Sequence, residues 1–411
     1  MAKNFDLILY GASGFTGKQA AAYLAQHVLR PESTWAIAGR NHEKLKALST
    51  TLPQNVPQPE CLVAEASDTQ AIEKLVAQSK LVVSTAGPFA LYSAELAKAC
   101  ARQGVDYLDI TGETPFVRQL IDEEHETARS NGAKMIPLCG FDSVPSDLGV
   151  LFTVRHLQEK YGEDCDALKS FYTVKGGLNG GTMASALDMM AKNQSAQLVD
   201  PTLLNPKDYR QKEDAKHIID LYRPYFDNAL QCWAAPFFMA QINSRVVGRS
   251  VALFKKFGSP YGENFSYLEA MRMGKYLGRL QAHGVTSGIA AVNAIGRSAF
   301  GRVLIDAFTP KPGHGPSQKV REDGLFCVDI FAQSDQGTKV VAQVSSQGDP
   351  GNKVTITILC EAARCLLYAR DNLPGGTTRC GILTPATAFG DVLQHRLEEV
   401  GMRFEIESKS A

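Results

Sequence analysis

A glycine-rich turn near the N-terminus places the strongest constraint on how this chain folds. The apolar run Phe5–Tyr10 predicts a β-strand, and Gly11, Gly14 and Gly17 follow it in the spacing G-x-x-G-x-x-G. The segment Gly14–Leu29 then predicts a helix. Glycines let the backbone turn sharply and approach a pyrophosphate, while the helix N-terminus offers free N–H groups to the anion. The pattern therefore predicts a dinucleotide-binding turn, with a purely structural tight turn as the alternative.

Short apolar runs alternate with helix-like segments up to about residue 140. Further strands are predicted at Thr34–Ala38, Glu60–Ala64, Leu81–Ser84, Asp106–Ile110 and Ala133–Pro137. The intervening helices are predicted near Glu43–Ser49, Asp68–Gln78, Ala94–Gln103 and Pro115–Ser130. This alternation is typical of βαβ units, and six such strands complete a doubly wound parallel sheet.

The pattern changes after Gly140. The elements predicted there are a helix at Ser146–Lys160, a strand at Ala167–Lys175, a hairpin of Leu325–Gln333 and Thr338–Gln347, and helices at Asp349–Arg370 and Thr384–Val400. Residues 182–320 are mixed and stay unassigned. We therefore expect an α/β fold: a doubly wound parallel (Rossmann) sheet, a second inserted α+β domain and a C-terminal helical return. The expected domains are residues 1–145, 146–348 and 349–411.

The end of the second strand bears on which dinucleotide binds. NAD sites place an acidic residue there for the ribose 2′-hydroxyl, whereas this chain has Ala38-Gly39-Arg40. An arginine pairs with a 2′-phosphate, so NADP is favoured over NAD, with a solvated arginine as the alternative. Asp68 is expected beside the adenine and Ala86–Pro88 beside the nicotinamide ribose. The residues predicted to bind the cofactor are Gly11, Ser13, Gly14, Phe15, Thr16, Gly17, Arg40, Asp68, Ala86, Gly87 and Pro88.

Charge and cysteine content narrow the function classes. Lys+Arg and Asp+Glu both number 43, so no net charge attracts nucleic acid. The nine cysteines include no C-x-x-C pair, which indicates buried free thiols in a reducing compartment. The scattered histidines suggest no metal site. Without a secretory signal or a run of about 18 apolar residues, the chain is expected to be cytoplasmic.

Several blocks carry a family resemblance. The segments Gly11–Gly17, Ala38–Arg40 and Ala86–Phe89 resemble those of the saccharopine dehydrogenase-like oxidoreductases. Within that group the chain is most similar to the trans-acting enoyl reductases. The blocks carrying this similarity are Tyr107–Glu113, Gly140–Gly149, Gly180–Ser185, Ile242–Ser250, Gly348–Gly351 and Gly381–Ala386. The resemblance implies an NADP-type Rossmann domain, a second α+β domain and reduction of a carbon–carbon double bond in a lipid or polyketide-like intermediate.

Enoyl reduction requires a proton donor and a group that holds the developing enolate oxygen. Such groups are expected in loops at the carboxyl ends of the later strands, where Tyr92, Asp142 and Ser143 lie. Helix capping by Asp142, Ser143 or Ser146 is the structural alternative. Two other functions stay open: a saccharopine-type dehydrogenase acting on an amino acid, and a non-catalytic, lipid-associated dinucleotide-binding protein.

Two further segments bear on partners. Small residues recur through Gly274–Gly301 and could line a tunnel for an acyl chain. Phe237–Met239 together with Val246–Phe257 could form an apolar, basic-rimmed patch for peripheral contact with lipid, although core packing is the favoured explanation. The expected partner is a small-molecule or acyl-chain substrate and not nucleic acid. A homodimer stays open.

Overall fold

The computed structural model describes residues 3–177, 179–192, 194–311 and 313–407. The strands are β1 Phe5–Tyr10, β2 Trp35–Gly39, β3 Glu60–Val63, β4 Ser79–Ser84, β5 Asp106–Asp109, β6 Lys134–Ile136, β7 Cys165–Lys175, β8 Ile218–Ile219, β9 Tyr225–Asp227, β10 Cys232–Pro236, β11 Ser266–Met273, β12 Leu325–Ser334, β13 Lys339–Gln347, β14 Gly381–Ile382 and β15 Arg403–Ile406.

The helices lie between and around these strands. They are α1 Phe15–Tyr23, α2 His42–Thr51, α3 Thr69–Ala77, α4 Phe89–Tyr92, α5 Ala94–Gln103, α6 Thr114–Ser130, α7 Val144–Tyr161, α8 Gly180–Ala191, α9 Lys212–Ala215, α10 Ala240–Lys256, α11 Gly278–Gly296, α12 Ala299–Phe308, α13 Gln318–Asp323, α14 Thr355–Tyr368, α15 Pro385–Phe389 and α16 Asp391–Glu399. Wider π-type turns occur at Leu24–Val28 and Pro350–Val354, and 3-10 turns at Gln194–Val199, Lys207–Tyr209 and Arg370–Asn372.

The first sheet is parallel and has the order β14-β6-β5-β4-β1-β2-β3. Six of its strands are those predicted from the alternating pattern, in the doubly wound order, so the predicted fold class is confirmed. Leu7, Ile8 and Leu9 of β1 are all fully buried. Helices cover both faces of such a sheet, and its central strands are therefore continuously apolar. The carboxyl ends of all the strands lie along one edge.

The C-terminal segment differs from the prediction because it contains strands as well as helices. Gly381 and Ile382 form β14, which pairs with β6 and becomes the seventh strand of the first sheet. Residues Arg403–Ile406 form β15, which pairs with β13 in the second sheet. Two residues of strand give too short a pattern to read from the sequence. The domain limits at residues 145 and 348 stay predictions.

The second sheet is mixed, with the path β15-β13-β12-β7-β11-β10-β9 and β8 paired with β11. The predicted hairpin is confirmed as β12 and β13, which pair antiparallel. The unassigned stretch contributes strands β8–β11 and helices α8–α12. Its strands are short and depend on partners distant in the chain, which is why local pattern did not reveal them.

The cysteines are all free, but Cys61 and Cys327 are only partly buried, so the prediction of buried thiols is wrong for these two. In the described part of the chain, no helix combines the length and the apolar character needed to cross a membrane. Within the same residues, no three histidine, cysteine or acidic side chains are grouped as a metal site requires.

Candidate functional site

The glycine turn connects β1 to α1 and packs against Ala86, which follows β4. Gly11 has φ of +78°, and a Cβ there would lie 2.8 Å from the Ala86 backbone nitrogen. A Cβ on Gly17 would overlap the Gly11 carbonyl oxygen. A glycine is therefore needed at position 11 both for the positive φ and for the close contact with Ala86. Gly17 lets α1 pack closely against the turn.

Gly14 has a different role from the one its spacing suggested. The φ of Gly14 is −72°, and the residue of the turn that needs the left-handed region is Gly11. Gly14 is the N-cap of α1, and no side chain caps this helix. A Cβ at Gly14 would lie 3.3 Å from the Gly11 oxygen, which the fold can absorb. The first-turn N–H groups of α1 are thus left for a ligand.

The second strand ends beside this turn. Ser13 Oγ lies 3.9 Å from where a Cβ on Gly39 would stand. The next residue, Arg40, is exposed, and no ion pair within the described residues involves it. Arg40 is therefore free to pair with an anion such as a 2′-phosphate. Asp68 caps α3 by accepting a hydrogen bond from the Ala71 N–H at 3.0 Å, which gives it a structural role at the end of β3.

The loop after β4 is fixed by a buried glutamate. Gly87-Pro88 is a cis peptide, and Glu113 accepts hydrogen bonds from the N–H groups of Phe89 at 2.8 Å and Ala90 at 2.9 Å. Ser185 on α8 donates to Glu113 at 2.6 Å. Helix α8 therefore contacts the loop that the sequence placed beside the nicotinamide ribose.

The loop after β6 is anchored at three points. The Phe141 N–H donates to Thr355 Oγ1 at 3.1 Å. Ser146 Oγ donates to Glu269 Oε2 at 3.0 Å. Asp147 accepts from Ser250 Oγ at 2.5 Å and from the Ala386 N–H at 2.7 Å. These partners come from α10, β11, α14 and α15, so several distant segments hold the start of α7 rigidly. Further side-chain hydrogen bonds around the start of α7 join Ser146 Oγ to Tyr172 at 2.5 Å, Asn243 to Glu269 at 2.6 Å and Tyr267 to Glu269 at 2.6 Å.

Two polar side chains in this loop make no hydrogen bond within the described residues. Ser143 is the N-cap residue of α7 and 1% exposed, but its hydroxyl caps nothing and has no hydrogen-bond partner among the described residues. Asp142 is half-buried and makes no side-chain hydrogen bond within the described residues. Burial raises the pKa of its carboxyl to about 6. Capping by Asp142, Ser143 or Ser146, the alternative considered above, is therefore wrong.

Three buried carboxyl groups surround these loops. Burial raises the pKa values of Asp109, Asp147 and Glu269 to about 7. Asp109 accepts hydrogen bonds from the N–H groups of Thr111 at 3.0 Å and Leu138 at 3.1 Å, and thereby ties the ends of β5 and β6 together. Desolvation disfavours the charged form even where donors are present.

The other sequence candidates are less well placed. Tyr92 lies at the end of α4, is 42% exposed and makes no side-chain hydrogen bond within the described residues. Phe237, Met239, Val246 and Val247 of the expected lipid patch are buried and belong to the core, whereas Phe238 is 54% exposed. Sequence reasoning missed Ser185, Glu269 and Thr355 as parts of the site. Ser185 stood in a family block, but nothing local pointed to the other two.

The residues present fit a dinucleotide. Gly11 lacks the Cβ that would collide with Ala86, α1 has an N-terminus without a side-chain cap, and Arg40 at the end of β2 forms no ion pair within the described residues. The turn would hold the pyrophosphate and Arg40 the 2′-phosphate.

Comparison with known proteins agrees with this arrangement. Residues 7–136 match a family model described as the saccharopine dehydrogenase NADP binding domain. The chain is 34% identical over 416 residues to a trans-acting enoyl reductase of Mycobacterium tuberculosis and 34% identical over 421 residues to that of Mycobacterium leprae, with 97% of each chain covered. The solved saccharopine dehydrogenase (L-Glu forming) of Saccharomyces cerevisiae superposes with a TM-score of 0.52 at 13% identity, covering 98% of this chain and 100% of that one. At that identity the likeness concerns the fold alone.

Proposed function

The chain belongs to the saccharopine dehydrogenase-like family, among the trans-acting enoyl reductases, and we propose that it reduces a carbon–carbon double bond in a lipid or polyketide-like intermediate with NADPH. That it is an NADP-dependent oxidoreductase follows from the NADP-binding domain and the full-length relatives. The observation that carries the finer proposal is the pair Asp142 and Ser143. Within the described residues, the Ser143 hydroxyl is buried without a hydrogen-bond partner, and the Asp142 carboxyl makes no side-chain hydrogen bond.

Enoyl reduction adds a hydride to one carbon of the double bond and a proton to its neighbour. NADPH, when bound, supplies the hydride. The glycine turn and Arg40 hold the cofactor, while Glu113 and Ser185 fix the loop after β4. What the chain must still provide is a proton and a donor to the substrate carbonyl oxygen.

Asp142 supplies the proton in this proposal. Its pKa, raised to about 6, leaves a useful fraction of the carboxyl protonated near neutral pH. The proton passes from the Asp142 carboxyl to the substrate carbon as the enolate collapses, and the carboxylate is then reprotonated from water. Ser143 Oγ donates a hydrogen bond to the carbonyl oxygen, where negative charge develops.

The test is turnover of a panel of enoyl thioesters, with saccharopine included, by wild type and Asp142→Asn. We expect wild type to reduce an enoyl substrate, and Asp142→Asn to lower kcat by about 10²–10⁴-fold with the Kd for NADPH unchanged. Because the donor must be protonated, the wild-type kcat should fall as pH rises above about 6, and the variant should lose this dependence.

The matched control is Asp335→Asn, since Asp335 is exposed in the β12–β13 turn. It should behave as wild type. An Asp142→Asn enzyme with full activity would contradict the role given to Asp142. Turnover of saccharopine and of no enoyl thioester would contradict the proposed reaction itself.

A further inference from the structure

The hairpin of α11 and α12 exposes an unusual amount of apolar surface. Of the nineteen large hydrophobic residues that are exposed in the described part of the chain, nine lie within residues 276–308. They are Tyr276, Leu277, Leu280, Val292, Ile295, Phe300, Val303, Leu304 and Phe308. Phe300 is 80% exposed, Phe308 84% and Tyr276 91%. A fully buried aromatic side chain removes about 150–250 Å² from water, so three aromatic side chains exposed to this extent leave several hundred Å² of apolar surface in contact with water.

The hairpin is anchored to the rest of the protein through a few buried small residues, Gly278, Ala282 and Gly296 of α11 and Gly301 of α12. On the inner face of α11, Gly278 packs on Trp233 and Ala282 is fully buried. A Cβ on Gly296 would lie 2.5 Å from Met190 Sδ of α8. On the outer face, a Cβ on Gly284 or Gly288 would meet no atom within 4 Å. These glycines therefore face open space and do not line a tunnel for an acyl chain.

The charges on this segment select the partner. Residues 275–311 contain five basic side chains, Lys275, Arg279, Arg297, Arg302 and Lys311, and a single acidic one, Asp306. The whole chain is neutral, so this excess is local. Docking two copies face to face would bring the cations together and is disfavoured. An apolar helical face with basic residues around it matches an anionic lipid surface.

We propose that the α11–α12 hairpin docks the protein onto the surface of an anionic bilayer, with Leu280, Phe300 and Phe308 inserted among the acyl chains and Arg279 and Arg297 near the headgroups. The same hairpin packs on α8, whose Ser185 contacts Glu113 at the candidate site. Docking would therefore present that site to a membrane-held acyl substrate. The proposal concerns binding alone and does not depend on the reaction proposed above.

The test is flotation of the purified full-length protein with vesicles of phosphatidylcholine, with and without a quarter of phosphatidylglycerol. We expect binding to the anionic vesicles, and binding at least about tenfold weaker to the neutral ones. Raising the salt from about 0.1 M to 1 M shortens the Debye length from about 10 Å to 3 Å and should weaken the anionic binding.

Two variants locate the surface. The triple variant Leu280→Ser/Phe300→Ser/Phe308→Ser should lose vesicle binding, whereas Tyr161→Ser/Val199→Ser/Val400→Ser, three exposed apolar positions outside the hairpin, should retain it. A second pair of variants tests the role of charge in the same way, with one charge reversal on the hairpin and a matched one elsewhere. Arg279→Glu/Arg297→Glu should lower binding about tenfold or more, and Lys46→Glu/Lys74→Glu, two exposed lysines on α2 and α3, should not.

Three results would overturn the proposal. The first is no flotation with either vesicle. The second is equal flotation of both vesicle types or of the hairpin variants. The third is a wild-type dimer, detected by light scattering, that the triple variant converts to a monomer while vesicle binding is absent throughout. The last result would assign the face to a second copy of the chain. If the triple variant fails to fold by circular dichroism, the double charge reversal decides the outcome.

Discussion

Two helices begin at the carboxyl edge of the first sheet, and their N-termini are built in different ways. Helix α1 starts from Gly14 in a turn whose critical contacts are within the backbone of residues 11–17 and with Ala86. Helix α7 starts from a loop held by Glu269, Ser250 and Thr355, which follow it by more than a hundred residues. Neither helix has a side-chain cap. The comparison shows two ways to leave a helix N-terminus without a side-chain cap. At α1 the glycines of the adjacent turn do so, and at α7 hydrogen bonds from distant segments hold the surrounding residues in place.

The largest expected effect is that of a substitution at Gly14, in the glycine turn that forms the N-terminus of α1. Gly14→Val should abolish NADPH binding, weakening it by more than about 3 kcal/mol, because the side chain stands at the uncapped N-terminus where several N–H groups meet the pyrophosphate. The fold should persist, since a Cβ at this position only approaches the Gly11 oxygen to 3.3 Å. Isothermal calorimetry measures the binding and circular dichroism the fold.

Gly17→Ala is the comparison variant within the same motif. Its Cβ would overlap the Gly11 carbonyl oxygen, so it should lower the thermal stability itself. Intact NADPH affinity in Gly14→Val would show that α1 does not bind the pyrophosphate.

Arg40→Ala should have the next largest effect. Loss of a charge-assisted hydrogen bond to the 2′-phosphate should weaken NADPH binding by about 1–3 kcal/mol and leave NADH nearly unaffected. Exposed Lys44, on α2, offers a control as Lys44→Ala. Equal losses for both cofactors in Arg40→Ala would assign the arginine to another role.

The buried carboxyl groups around the loop that precedes α7 should make the free energy of unfolding depend on pH. Asp109, Asp147 and Glu269 have folded pKa values near 7, against about 4 in an unfolded chain. The folded state therefore binds more protons than the unfolded state between these values. The free energy of unfolding should fall as pH rises from about 5 to about 7.

Glu269→Gln removes one of these groups and should make that decline shallower by up to about 1.4 kcal/mol per pH unit. Urea unfolding at several pH values measures the slope. The surface variant Glu405→Gln should leave the slope as in wild type. A wild-type stability that rises over this range would contradict the assignment of buried, protonated carboxyls.

The smallest expected effect compares an N-cap serine whose hydroxyl makes no capping hydrogen bond with one whose hydroxyl does. Ser143→Ala should change stability by less than about 0.5 kcal/mol, because the Ser143 hydroxyl makes no cap bond. Ser298→Ala should cost about 1 kcal/mol, since Ser298 Oγ accepts from the Gly301 N–H at 2.9 Å. Thermal unfolding compares the two. A loss in Ser143→Ala as large as that in Ser298→Ala would mean that the Ser143 hydroxyl is needed for structure.

The difference between the two helices also explains how far the sequence could be read. Six strands of the first sheet and the turn at Gly11 were predicted because each depends on residues close together in the chain. The short strand at Gly381–Ile382 was not, because it exists only by pairing with β6. Likewise, the spacing identifies the glycines of the turn but not the dihedral angle of each, and only the structure shows that Gly11 takes the positive φ.

By itself, the sequence determined the alternating strand–helix order of residues 5–136, the glycine turn and the basic residue Arg40, because local periodicity and backbone freedom control these features. Tertiary structure alone decided that, among the described residues, the side chains of Asp142 and Ser143 have no hydrogen-bond partner, whereas Ser146 and Asp147 bond to residues distant in the chain. It likewise decided that Phe237 is buried and that Phe300 and Phe308 are exposed. The physical reason is that burial and hydrogen-bond satisfaction depend on what the rest of the chain places nearby, which no local pattern of apolar and polar residues specifies.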